Sequence, residues 1–110
     1  MILEIRTYRL RPGTQAEFVR VMRDEAIPLL TAAEIMVVGA GPSLAAEDGH
    51  EEAYLMRAFA SIEQRDEQEA AFYGSDQWRL GPREAVVSRI ESYHTIVIET
   101  SAAAVDALRS

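Results

Sequence analysis

Four strand-like segments and two longer helical stretches follow one another in the order β-α-β-β-α-β, and no other feature constrains the fold of this chain so tightly. Residues Ile2–Leu10 alternate and are rich in β-branched and aromatic side chains, which marks a strand. Residues 35–41 form a short apolar run suited to a buried strand, residues 53–60 return from a polar turn at 47–52, and residues 92–100 supply the last strand. Asp48-Gly49 in that turn is the strongest hairpin signal in the chain. Gly39 and Gly41, followed by Pro42, lack the third glycine and the helix start of a dinucleotide loop and instead let the strand bend or bulge.

Arg11-Pro12-Gly13-Thr14 ends the first strand, with Thr14 placed to cap a helix and Glu17 three residues on. Phe18, Val21, Met22, Ala26, Leu29 and Leu30 then recur at helical spacing, and Pro28 predicts a kink or stop near Ile27. Ser61 with Gln64 forms a capping box for a helix running to Tyr73. Gly74-Ser75-Asp76 interrupts it, and two short helical pieces follow at 77–80 and 82–90.

This order predicts an α+β ferredoxin-like domain, a four-stranded antiparallel sheet with helices on one face. Alternation places Ile2, Glu4, Arg6, Tyr8 and Leu10 on one face and Leu3, Ile5 and Thr7 on the other. The third strand likewise divides into Tyr54, Met56 and Ala58 against Leu55, Arg57 and Phe59. Neither side is freely polar, so both need cover, and a second copy packed sheet on sheet covers the side without helices. The expected assembly is a homodimer of the dimeric α/β-barrel kind. Residues 1–100 form the domain; residues 101–110 are an alanine-rich tail whose sequence fits a short helix, an arm over a neighbour or disorder.

Composition removes several function classes. The 110 residues contain no cysteine, which excludes disulfides, thiolate catalysis and cysteine-bound metal. The net charge of −7 opposes binding to nucleic acid or an anionic membrane surface, and every basic residue is arginine. The N-terminus lacks the order of a signal peptide and no apolar run is long enough to span a membrane, so the expected location is cytoplasmic.

Glu4-Ile5-Arg6-Thr7-Tyr8, followed by Leu10, Pro12-Gly13 and Phe18, resembles the opening signature of the NIPSNAP family. Val38-Gly39, Ser61-Ile62-Glu63-Gln64-Arg65 and Asp76-Gln77-Trp78 extend the likeness over nearly the whole chain. The resemblance implies a ferredoxin-like monomer and a dimeric α/β barrel, a scaffold shared with small monooxygenases, decarboxylases, isomerases and haem proteins. It implies a scaffold more than an activity, because such folds host many chemistries.

Glu4, Arg6 and Tyr8 stand at every second position of one strand and so share a face. Arg6 can hold an anionic or carbonyl group and Tyr8 can donate or relay a proton. The alternative is a structural ion pair and hydroxyl that satisfy one another. His94, in the last strand, is the natural general base by its ordinary pKa, or else a hydrogen-bonded structural histidine. Strand phase does not decide whether it joins Arg6 and Tyr8. Tyr73 and Trp78 flank the helix break and, with Phe72 and Tyr54, can line an aromatic pocket or plug the core. Asp48, His50, Glu51 and Glu52 have metal-ligand chemistry but no aligning register, and read as a solvated turn.

Two functions of different class follow. One is a homodimer that binds a small hydrophobic or aromatic ligand in each subunit, as a monooxygenase- or isomerase-like enzyme without cofactor or metal. The other is a non-catalytic dimeric interaction module whose polar groups only fix sheet register.

Overall fold

The computed structural model describes residues 1–109. Strands β1 (Ile2–Leu10), β2 (Met36–Pro42), β3 (Glu52–Phe59) and β4 (Ile90–Glu99) form one antiparallel sheet in the order β2-β3-β1-β4. This is the α+β ferredoxin-like topology expected from the element order. The first and third strands occupy the centre, and their alternating side chains set the chemistry of both faces. An extra residue in β2, between Val37 and Gly39, gives the expected bulge.

Helices α1 (Gln15–Val21), α2 (Ile27–Ala32), α3 (Ile62–Tyr73), α4 (Asp76–Arg79) and α5 (Arg83–Val87) contribute to a core against one sheet face. Phe18 and Val21 of α1, Leu30 of α2, Phe72 of α3, Trp78 of α4 and Val86 of α5 are buried there with Leu10, Leu55 and Phe59 of the strands. Burying each such side chain contributes about 1.5–3 kcal/mol.

Local chemistry explains where the helices begin and bend. The chain does not stop at Pro28: a π-helical turn, Met22–Ala26, precedes α2, which carries Pro28 in its first turn. Proline lacks an N–H and crowds the carbonyl four residues back, and a widened turn relieves both problems. Thr14 does not cap α1, contrary to the expected capping box. Its hydroxyl donates to the Arg11 carbonyl at 2.7 Å, while the carboxylate of Glu51 accepts from the backbone N–H groups of Gly13 and Gln15 at 2.6 and 3.0 Å. A charged carboxylate is the stronger acceptor for these unpaired donors, and the hairpin between β2 and β3 delivers it. Ser61 does cap α3: its hydroxyl accepts from the Gln64 N–H at 3.1 Å, and the Gln64 side chain accepts from the Ala60 N–H at 2.7 Å.

The piece expected as helix over 82–90 ends earlier, at Val87, and Ile90 already pairs with Leu10 in β4. The N–H of Arg11 donates to the carbonyl of Arg89 at 2.9 Å, extending this strand pairing at the expense of the last helical turn.

The tail folds as a helix, α6 (Ala102–Arg109). Its Val105 is buried with Leu3, Val38 and Ala58 on the sheet face opposite α1–α5. One corner of the second face is thereby covered from within the chain. Ile96 and Ile98 on the same face remain 47% and 43% exposed.

Candidate functional site

Alternation along β1 sends Glu4, Arg6 and Tyr8 toward the helices, as the sequence predicts. Above them, α3 presents Arg65, Glu69 and Tyr73 at intervals of four residues, which places all three on one stripe of the helix. Arg57 of β3 stands opposite Glu4 in the register. Seven polar side chains from three elements therefore meet between the sheet and α3.

Their contacts form one network. Arg57 donates to Glu4 Oε1 from Nε at 3.0 Å and from Nη2, and from Nη1 to the Tyr73 hydroxyl at 2.8 Å. Arg65 Nε donates to Glu4 Oε2 at 2.6 Å. Arg6 donates to Thr95 Oγ1 at 2.9 Å and to the Tyr73 hydroxyl at 3.3 Å. Both Glu4 and Arg57 are fully buried, which is tolerable only because each charge is met by several partners.

Glu69 is less well matched. Its Oε1 lies 3.6 Å from Arg6, and its Oε2 lies 3.4 Å from both Arg57 and Arg65. Oε2 is buried and ion-paired at that range, yet among the described residues no donor is aligned to form a hydrogen bond with it. The two carboxyl groups divide their neighbours unequally. Burial pushes Glu4 up, but its hydrogen bond with Glu69 and the charges and hydrogen bonds of Arg57 and Arg65 prevail and hold it near 2. Burial, the hydrogen bond to Glu4 and the Glu4 charge push Glu69 up to about 7 against the pull of Arg57 and Arg65. One proton is thus held on the Glu69 side of the pair at mildly acidic pH.

This network forms the polar end of a cavity of about 350 Å³ between the sheet and helices. Arg6, Glu69 and Tyr73 line that end, while Tyr8, Leu55, Phe72 and Trp78 supply apolar wall. Tyr93, on β4, is 63% exposed and stands at the rim with the Arg6 guanidinium 5.1 Å over its ring. Tyr73 meets both Phe72 and Trp78 edge-on, with centroids 5.1 and 5.4 Å apart. The volume falls at the lower end of the range of small-molecule sites, and apolar walls with a few converging polar groups are their usual form.

Of the residues expected at a ligand, Arg6, Tyr8, Phe72, Tyr73 and Trp78 line this cavity together. Tyr8 is 5% exposed and packs on Phe18 at 5.1 Å, and burial pushes its hydroxyl pKa upward, so it remains a phenol. Glu4 lies behind the wall, anchoring Arg57 and Arg65. His94 and Tyr54 are elsewhere. In the β1–β4 register Arg6 faces Thr95 and Tyr8 faces Tyr93, so His94, paired with Thr7, points to the opposite side of the sheet. Tyr54 also pairs with Thr7 and lies beside Gly39 and Gly41, where a Cβ on Gly41 would come within 3.4 Å of its ring. The geometry therefore removes His94 as a partner of Arg6 and Tyr8, and Tyr54 as a wall of their pocket.

Arg57, Arg65, Glu69 and Tyr93 join the site without having been singled out as candidates. The i, i+4, i+8 spacing of Arg65, Glu69 and Tyr73 was the available signal, because three polar groups on one helix stripe aimed at a sheet must find partners there.

The NIPSNAP family model matches residues 3–102. No curated protein matches the chain. Among solved structures, a NIPSNAP family protein of unknown function from Agrobacterium tumefaciens is 25% identical, with a TM-score of 0.79 over 92% of this chain and 88% of that one. An uncharacterized NIPSNAP domain protein from Burkholderia xenovorans is 20% identical, with a TM-score of 0.78 over 93% and 96% of the two chains. A putative antibiotic biosynthesis monooxygenase from Nitrosomonas europaea shares the fold more distantly, at 15% identity and a TM-score of 0.62 over 91% and 98%. No helix of the described residues is long and apolar enough to cross a membrane.

Proposed function

The chain belongs to the NIPSNAP family, and from that premise we propose that it is a homodimer, each subunit binding a small hydrophobic or aromatic ligand with one acidic or carbonyl group. The observation that carries this reading is the cavity of about 350 Å³, apolar along its walls and bounded at one end by Arg6, Glu69 and Tyr73. Arginine suits a planar carboxylate or a polarised carbonyl, and the aromatic rings of Tyr73 and Trp78 suit a flat apolar body. Arg6 has the loosest carboxylate contacts of the three arginines, 3.6 Å to Glu69 and 3.8 Å to Glu4, and it lines the cavity, which favours a ligand that brings negative charge.

Pairing of two copies is supported by the second sheet face. Ile5, Met56, Ile96 and Ile98 leave an apolar strip there that α6 does not close. A chain of this size gains stability by burying such a strip against its own copy.

The test is thermal unfolding in the presence of aromatic carboxylates and ketones. Ligands that occupy the cleft raise the midpoint of the wild type, and Arg6→Ala abolishes most of the rise with acidic ligands. A midpoint that no such compound moves, alongside an intact dimer, favours the purely interaction-module reading.

A further inference from the structure

We infer, on the reading that the cavity holds such a ligand, that Glu69 is the catalytic residue of a proton transfer: its carboxylate removes a proton from the carbon next to the ligand carbonyl and returns it, isomerising the ligand.

Glu69 lines the cavity, and its buried Oε2 forms no hydrogen bond among the described residues although guanidinium nitrogens of Arg57 and Arg65 lie 3.4 Å away. A buried carboxylate oxygen without a donor is costly unless protonation or a ligand relieves it. The charged and titratable groups that surround it are Glu4, Arg6 and Tyr8 from β1, Arg57 from β3, Arg65 with its partner Asp66 and Tyr73 from its own helix, Tyr93 from β4 and Arg83 from α5. Glu4 is held ionised by Arg57 and Arg65, so it is spent as a base. Glu69 keeps its proton up to about pH 7 and can exchange it near neutrality, where a general base works best.

The other half of the chemistry is a place for the developing oxyanion. Tyr73 accepts hydrogen bonds on its hydroxyl oxygen from Arg57 and Arg6, which leaves its own hydrogen to donate elsewhere, and the residue lines the cavity. A guanidinium and a phenol, both held in place by second contacts, form a prearranged site for negative charge on oxygen. In the forward step the C–H bond breaks, its electron pair enters the new C=C bond, the carbonyl oxygen takes the charge and Glu69 takes the proton. Return of that proton to the enolate oxygen gives the enol and restores the carboxylate; in a ligand whose double bond is conjugated with the enolate, return to the far carbon of that system shifts the double bond instead. No oxidant, reductant or second substrate is consumed.

Phenylpyruvate is a suitable probe, having an aromatic ring, an acidic group and an enolisable carbon. Two measurements are made on the wild type and on Glu69→Gln: binding by thermal shift, and exchange of the benzylic protons with deuterated water by NMR. The glutamine amide can donate to Glu4 as the protonated carboxyl does, so the network keeps its shape. Wild type is expected to accelerate exchange, and Glu69→Gln to lose about 100-fold or more of that acceleration while still binding. Binding by both proteins with equal exchange overturns the inference and leaves the ligand reading standing. Failure of the wild type to bind phenylpyruvate overturns the inference for enolisable aromatic acids, while binding of other aromatic acids would keep the ligand reading. Should the variant not fold, the carboxyl carbon resonance of Glu69 in isotope-labelled wild type decides. Titration near neutrality upholds the inference, and a carboxyl ionised throughout from about pH 5 overturns it.

Discussion

Glu4 and Arg57 face each other across β1 and β3 with both side chains fully buried, and two nitrogens of the guanidinium bond one carboxylate oxygen. Arg57→Met strands the Glu4 carboxylate with Arg65 as its main cation, and urea denaturation should show a loss of about 3 kcal/mol or more. The double variant Glu4→Leu, Arg57→Met removes both buried charges and should recover a large part of that loss. A double variant as unstable as the single one would mean that the pair is needed for more than mutual neutralisation.

The pH dependence of stability has two opposing parts. Glu4 is held near 2 against an ordinary 4.5, so its contribution is complete above 4.5 and fades as pH falls toward 2. Glu69 is held near 7, so between 4.5 and 7 the folded state keeps a proton that the unfolded chain releases. Stability contributed by that proton is lost as pH rises through this window. Denaturation at a series of pH values should show a maximum near about pH 5 and a decline to about pH 8, and Glu69→Gln should remove the decline. A decline unchanged by the substitution would assign it to other groups.

The helix-free face gives a third expectation. Ile96→Glu places a charge in the apolar strip of β4, and light scattering should show the wild type at twice 12.2 kDa and the variant at the monomer mass. His94→Ala, on that same face, should leave any ligand-induced midpoint shift intact, because Thr7 and not Arg6 is its neighbour across the strands. Loss of ligand response in His94→Ala would place the histidine back in the site.

The fold was legible because alternation and helical spacing are properties of single segments. Glu4, Arg6 and Tyr8 share a face whatever the tertiary structure, and Phe72, Tyr73 and Trp78 follow directly from the helix break. Residues whose role depends on pairing between segments were not. The facing of His94 turns on which residue of β4 meets Thr7, and that register is a property of the β1–β4 pairing that no pattern within either segment announces. Glu51 became the cap of α1 through a hairpin that brings it back to Gly13, a contact spanning 38 residues. Arg57 lay on the right face of its strand, but its value came from Glu4 and Tyr73 together. The tail remained undecided because α6 buries Val105 in a pocket of Leu3, Val38 and Ala58 that is assembled from three strands.

The most direct measurement is a map of N–H resonance shifts during titration with naphthoate, an aromatic acid that cannot enolise and so reports binding alone. The expected result is movement of the Trp78 indole N–H, the Arg6 side chain and the backbone around Glu69 and Tyr73, with Tyr54 and His94 unmoved. Shifts confined to the helix-free face, or none at saturating naphthoate, would contradict a ligand site between the sheet and its helices.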